Sequence, residues 1–276
     1  MGRYAEYLGR SETRQDRADP RLFEAMAATL DLPSAPAELP PLWHWMLFQD
    51  WRRPGSLGPD GHPKRGGFLP PVHHLPRRMW AGGRITFAGP AILRDDILTR
   101  SSTIAAIEEK TGASGELVFV TVRHAIAGPR GLVLEEEQDI VYRSAEGAAV
   151  KPASAAPDWP RAIRRVVLPD PVLLFRYSAL TGNGHRIHYD HRYVTAVEGY
   201  PGLIVHGPLQ ATWLAALAQE AAGPRARLLR FRFRGRRPCF VDRPLTLFAE
   251  AEGRTVRLES RDDTGATCME AEAVFA

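Results

Sequence analysis

An Asp-Pro pair opens a helical pattern twice in this chain. Asp19-Pro20 leads into LFEAMAATL, and Asp170-Pro171 leads into VLLFRYSALTGN. In each copy the aspartate suits an N-cap and the proline suits the first helical turn. Ala27, Thr29 and Asp31 stand 152 residues before Ala179, Thr181 and Asn183. A Pro-Leu pair then opens a Trp-bearing apolar stretch in both halves: Pro41-Leu42 with Trp43 and Trp45, and Pro208-Leu209 with Trp213. Alternating strand residues, a proline (Pro90, Pro238), an aspartate (Asp95, Asp242) and a second apolar run follow each time. So many matches in one order predict a duplicated unit of helix plus antiparallel sheet, an α+β arrangement. Two unrelated α+β halves are the competing reading. A chain of 276 residues gives each copy about 130 residues, enough for its own core. The copies divide at 1–150 and 151–276.

Periodicity fills in the elements. The first helix is expected after Asp19 and stops before Pro33. PLWHWMLFQDW (41–51) reads as a second helix, buried and aromatic-rich. Residues 52–78 carry Gly, Pro and His and suit a long irregular loop. GRITFAG (83–89), ELVFVTVRHAI (116–126) and LVLEEEQDIVYR (132–143) carry strand signals, and the small, polar, proline-bearing 144–160 reads as a linker.

Composition excludes several classes. No apolar run approaches the roughly 20 residues of a membrane helix. The first residues are polar and lack the apolar core of a signal peptide, and Glu6 breaks the myristoylation pattern. Two lone cysteines, Cys239 and Cys268, make no disulfide framework, so a cytoplasmic, reducing home is expected. The net charge is +4, and 33 of the 36 basic residues are arginine. Guanidinium forks favour an anionic ligand over a neutral one. Nucleic acid is not the expected partner, because the net charge is modest and no DNA or RNA module is present.

The richest stretch runs from 175 to 223. His185, His188, Asp190, His191 and His206 surround a loop, and a helix is expected from Gly207 to just before Gly223. Imidazole titrates near neutral pH, so His188 is the expected general acid/base. A glycine at a helix start lets a carbonyl approach the free N–H groups, which makes Gly207 an expected oxyanion site. Asn183, five residues before His188, can orient a water molecule but cannot act as a base.

Gly182-Asn183-Gly184-His185-Arg186-Ile187-His188-Tyr189-Asp190, followed by His206-Gly207, resembles the hydratase motif of the MaoC-like family, the (R)-specific enoyl-CoA hydratases. PLWHW (41–45), GGFLPP (66–71), RRMWAGG (77–83), EEQDIVYR (136–143) and HRIHYD (185–190) look like the subfamily of mesaconyl-C4-CoA hydratases, itaconyl-CoA hydratases and mitochondrial-type 3-hydroxyacyl-thioester dehydratases. The resemblance spans nearly the whole chain. It implies a double hot-dog fold, two antiparallel sheets each wrapping a central helix. It implies reversible hydration of a 2-enoyl thioester to a 3-hydroxyacyl thioester. The substrate partner would be an acyl-CoA, of mesaconyl or itaconyl type, or an acyl carrier protein, with coenzyme A or phosphopantetheine as part of the substrate and no separate cofactor. In the family motif an Asp and a His together activate water. The His corresponds to His188, but the Asp position holds Asn183. The first copy has LPSAPAEL where the second has HRIH, so one catalytic site per chain is expected, with the N-terminal unit shaping the acyl pocket.

Other roles follow from the same loop. Arg186 sits inside the motif and is the expected anion contact, for a substrate carboxylate or the ligand phosphates. Tyr177, Thr181, His185 and His206 are expected to line the pocket, and for His206 bracing the loop competes with direct catalysis. His185 and His188 are spaced for zinc, but no Cys or third His sits at a usual spacing, so no metal is expected. Asp190 suits a helix cap. Between 230 and 234, arginines alternate with Phe231 and Phe233, as in a strand with aromatics inward and a solvated basic face. The rival functions are an acyl-CoA thioesterase on the same fold and a non-catalytic acyl-thioester-binding protein. A homodimer is expected.

Overall fold

The computed structural model describes residues 2–112, 115–144 and 159–276. The N-terminal half runs β1 (Ser11–Arg17), α1 (Pro20–Thr29), a long connection, then β2 (Arg77–Phe87), β3 (Ile97–Gly112), β4 (Gly115–Gly128) and β5 (Gly131–Arg143). The C-terminal half runs β6 (Ile163–Val167), α2 (Pro171–Thr181), α3 (His191–Ala196), α4 (Gly207–Ala222), β7 (Leu228–Gly235), β8 (Leu245–Glu252), β9 (Thr255–Arg261) and β10 (Thr267–Phe275). The ten strands form one sheet, ordered β1-β3-β4-β5-β2-β7-β10-β9-β8-β6. Read outward from its middle, the two halves have the same order, and each strand has its counterpart five strands later.

The duplication extends to single residues. Asp19 accepts from the Arg21 N–H at the start of α1, and Asp170 from the Leu173 N–H at the start of α2. Asp95 and Asp242, paired in the sequence comparison, both adopt left-handed backbone, with φ of 68° and 60°. The Asp95 N–H donates to the Ala18 carbonyl at 2.9 Å, and the Asp242 N–H donates to the Pro169 carbonyl at 2.8 Å. Each bond ties the segment before the second long strand to the residue preceding the helix cap.

The halves meet where β2 pairs antiparallel with β7, Gly82 opposite Arg234 and Gly83 opposite Phe233. A Cβ on Gly82 would lie 2.5 Å from the Phe233 carbonyl oxygen, so only glycine permits this approach. On β7, Phe231 and Phe233 are buried while Arg230, Arg232 and Arg234 are exposed, as the alternation predicts.

Among the described residues, only the C-terminal half wraps a long helix. α4 packs on β7, β8, β9 and β10 and buries Leu209, Leu214 and Leu217, each contributing on the order of 2 kcal/mol. The helix predicted over 41–51 is instead a single 3₁₀ turn, Trp43–Met46. Leu42 and Phe48, on either side, have positive φ of 71° and 57°, which stops helical propagation in both directions. The turn still buries Trp43, His44 and Met46, so the stretch keeps its core role without its helix. β2 begins at Arg77, inside the stretch predicted as loop, and β1 and β6 carry too little alternating apolar character to be read in advance. The division at 150/151, and the linker reading apart from its ends, fall on 145–158, outside the described residues.

Candidate active site

Three segments of the C-terminal half build one wall of a deep cavity. α2 ends at Gly182, a left-handed C-cap with φ of 61°, and the chain turns into Asn183. The Asn183 Oδ1 accepts from the His185 N–H at 3.0 Å, which fixes its amide and leaves the Nδ2 hydrogens as donors. A 3₁₀ turn, Arg186–His188, follows, and Asp190 caps α3 by accepting from the Tyr193 N–H. The segment before α4 then returns: the Ile204 N–H donates to the Ile187 carbonyl at 3.0 Å.

His188 is held by the same return. Its Nδ1–H donates to the Ile204 carbonyl at 2.7 Å. A carbonyl only accepts, so Nδ1 carries the proton and Nε2 the free lone pair. Burial, only partly offset by the Ile204 bond, pushes its pKa down to about 4. His188 is therefore neutral at pH 7, a base whose free nitrogen and whose tautomer are both fixed. Gly207 begins α4 with no side-chain cap, and its N–H is among those a helix leaves without an internal partner. His188, Asn183 and Gly207 all line a cavity of about 1550 Å³. That exceeds the ~300–1,000 Å³ of ordinary ligand pockets and suits a ligand with a long arm.

Tyr177, Thr181 and His185 also line this cavity. Thr181 donates from its hydroxyl to the Tyr177 carbonyl at 2.7 Å, and burial raises the Tyr177 phenol above its ordinary pKa. His206 does not line it. It is fully buried behind His188, their rings stacked at 3.7 Å between centroids, and it shares a 2.8 Å hydrogen bond with Ser178 Oγ. Arg186 is not brought to the cavity either. Its guanidinium donates to Asp190 Oδ2 at 2.7 Å and to the Pro59 carbonyl at 2.9 Å, and lies over the Tyr193 ring at 4.2 Å. These partners occupy the fork that an anion would need.

The N-terminal half supplies groups that sequence reasoning missed. Arg100, on β3, lines the cavity beside the Phe48 ring, with no ion pair or hydrogen bond among the described residues. Glu136 is 2% exposed and accepts from His44 Nε2 at 3.2 Å and Trp45 Nε1 at 2.8 Å. Burial alone would raise its pKa, but the His44 charge and these bonds hold it at about 2. Asp60 and His62, in the loop before β2, lie beside His185, and the His62 and His185 ring centroids are 4.3 Å apart. The ligand atoms of Asp60, His62 and His185 fall within 4.8 Å of one another, close enough for a small cation. The Asp60 carboxylate, however, is already engaged by His62 Nδ1–H at 3.0 Å. The one signal for this loop was its histidine between glycine and proline, Gly61-His62-Pro63.

A family model described as "Hydroxyacyl-thioester dehydratase type 2" matches residues 42–241. A mesaconyl-C(4)-CoA hydratase of Chloroflexus aurantiacus is 45% identical over 272 residues, covering 96% of this chain and 95% of its own. A mitochondrial hydroxyacyl-thioester dehydratase type 2 of Schizosaccharomyces pombe is 25% identical, covering 78% of this chain and 79% of its own. Among solved structures, a MaoC-like dehydratase from Phytophthora capsici superposes with a TM-score of 0.72 at 14% identity, over 97% of this chain and 95% of that one. A Mycobacterium tuberculosis protein with a double hotdog fold superposes at 0.59 and 13% identity, over 98% and 96%. At these identities the superpositions establish the fold, a double hot-dog.

Proposed function

The chain belongs to the hydroxyacyl-thioester dehydratase type 2 family, and from that premise we propose that it adds water to, and removes water from, the acyl chain of a thioester. The observation that carries this reading is the neutral, tautomer-fixed His188 in one cavity with the start of α4. His188 Nε2 takes a proton from water as the water oxygen bonds to C3 of a 2-enoyl thioester. The double-bond electrons move toward the thioester oxygen, whose charge is met by the Gly207 N–H and the positive end of α4. The imidazolium returns the proton to C2. The Asn183 amide donates to the water oxygen and holds it in place. Dehydration retraces the same path. The N-terminal unit shapes the acyl pocket through Trp45, Arg100 and Glu136.

For the acyl group we propose one bearing a carboxylate, of mesaconyl or itaconyl type, carried on coenzyme A. The relative at 45% identity is a mesaconyl-C(4)-CoA hydratase, and the cavity holds Arg100, a guanidinium that makes no ion pair among the described residues. Arg100 replaces Arg186 as the expected anion contact, because Arg186 is consumed by Asp190 and Pro59. We also propose a cytoplasmic homodimer. The buried free thiols of Cys239 and Cys268 suit a reducing compartment, and among the described residues no helix is long and apolar enough to cross a membrane.

The test is a panel of 2-enoyl-CoA esters with and without a terminal carboxylate, read at once by enoyl absorbance and by free thiol. Loss of absorbance without thiol release is expected, fastest for the carboxylated esters. Thiol release would favour a thioesterase, and binding with neither signal a non-catalytic carrier.

A further inference from the structure

The 58–62 turn of the N-terminal half is latched onto the catalytic loop of the C-terminal half. The Arg186 N–H donates to the Asp60 carbonyl at 2.9 Å, and the Arg186 side chain donates to the Pro59 carbonyl at 2.9 Å. Gly61 has φ of 88°, and a Cβ there would lie 2.0 Å from the Gly184 carbonyl oxygen, so the two backbones touch. The latch carries His62 to the cavity wall, with Asp60 bonded to it. Asp60 accepts twice from His62, from the backbone N–H at 3.1 Å and from Nδ1–H at 3.0 Å. A carboxylate only accepts, so His62 carries its proton on Nδ1 and presents a bare Nε2. His62 lines the cavity together with His185 and His188, the His185 ring centroid lying 4.3 Å from that of His62 and 5.7 Å from that of His188, and His62 is near enough to His188 for a charge on one to act on the other.

We propose that His62, fixed by Asp60, is a second catalytic histidine that holds the reacting water together with His188. This rests on the hydratase reading above. A water molecule has two hydrogens to give and two lone pairs to offer. His188 Nε2 and His62 Nε2 accept the two hydrogens, the Asn183 amide donates to one lone pair, and the other faces C3. Only the hydrogen on His188 is transferred, and it goes on to C2. The one on His62 stays on the oxygen and becomes the product hydroxyl. No group is left over and no further reactant is needed. Asn183 cannot accept a proton, so a lone His188 would leave one hydrogen of the water undirected.

The surroundings of His62 suit an acceptor. Burial lowers its pKa more than the Asp60 charge raises it, and Arg78 and Arg65 lower it further. His185 beside it is held down to about 2, chiefly by burial. Asp60 stays ionised, held below the ordinary range by His62 against the cost of its own burial. All three groups thus keep the form the water requires. The second repeat carries the motif, and the first repeat completes it.

Four measurements test this. His62→Ala should lower kcat about 10²-fold with KM within about threefold, and His62→Gln, whose amide oxygen still accepts, should recover about tenfold of that loss. Unchanged kcat in His62→Ala overturns the proposal. The same variants are read for free thiol. If the wild-type protein hydrolyses the thioester instead, the hydratase reading fails, while a matching fall in hydrolysis still places His62 on the water. Independently of turnover, ¹⁵N imidazole shifts should report His62 as the Nδ1–H tautomer, lost in Asp60→Asn. An Nε2–H tautomer in the wild-type protein would sink the dyad, as would one zinc per chain that disappears in His62→Ala.

Discussion

The imidazoles of His188 and His206 lie face to face, with centroids 3.7 Å apart and planes inclined by 19°. One ring faces the cavity and the other lies wholly behind it, so they have different tasks. His206 forms the flat backing against which His188 cannot tip, and its Ser178 bond anchors that backing to α2. Burial holds its pKa well below the ordinary histidine value, with the neighbouring His188 adding to the effect, so two cations never share the stack. His206→Ala should remove both the packing and the backing, at a stability cost of about 2–4 kcal/mol and with a fall in kcat. His206→Phe restores a flat ring and should recover most of both. If the Phe variant is as inactive as the Ala variant, His206 takes part in the chemistry directly.

The low pKa of His188 sets the direction of the pH dependence. The base form is required, so kcat/KM for hydration should stay level down to about pH 5 and fall as the pH passes through about 4, below the ~6.5 of free imidazole. Stability follows the same sign. Between about 4 and ~6.5 the unfolded chain binds a proton at this position that the folded chain refuses. Stability therefore rises with pH across that window, by about 3 kcal/mol from this residue. A pH–rate profile with its acid limb near 6.5 would remove His188 from the role of base.

Gly61 tests the contact between the repeats. Alanine at this position meets the Gly184 backbone, which cannot yield as a flexible side chain would. Gly61→Ala should therefore displace the Asn183–His188 loop and lower kcat at least about tenfold, with only a small change in melting temperature because the turn is peripheral to both cores. Gly9→Ala is the control. It has a similar positive φ of 79° with nothing within 4 Å, and activity should survive. Equal kcat in both variants would show that the latch does not position the loop.

Much of this was legible in the sequence because it rests on local rules. The Asp-Pro caps, the alternation of Phe231 and Phe233 and the start of α4 at Gly207 each follow from spacing over a few residues. What escaped depends on contacts between distant segments. Trp43–Met46 has helical spacing, but positive φ at Leu42 and Phe48 is a tertiary demand with no local signature. Arg186 looked free inside its motif, and its partner Pro59 is 127 residues away. Asp60 and His62 lie in a loop with no periodicity, and only the latch brings His62 to the cavity.

Glu136 offers a stability test that does not pass through catalysis. It is fully buried, engaged by His44 and Trp45, and held at about pKa 2 against an ordinary value of 4.5. A carboxylate with a depressed pKa contributes stability above its unfolded value and loses it as the pH falls toward its folded one. Here that window is about 4.5 down to 2, worth about 3 kcal/mol. Glu136→Gln removes the charge, leaves His44 facing an amide, and should cost roughly 3–5 kcal/mol at neutral pH. It should also flatten the dependence of melting temperature on pH between about 2 and 4.5. The His188 contribution is common to both proteins, so subtracting the two curves isolates Glu136. Parallel curves would mean that the buried carboxylate is already protonated, and the His44–Glu136 bond would then be an uncharged one.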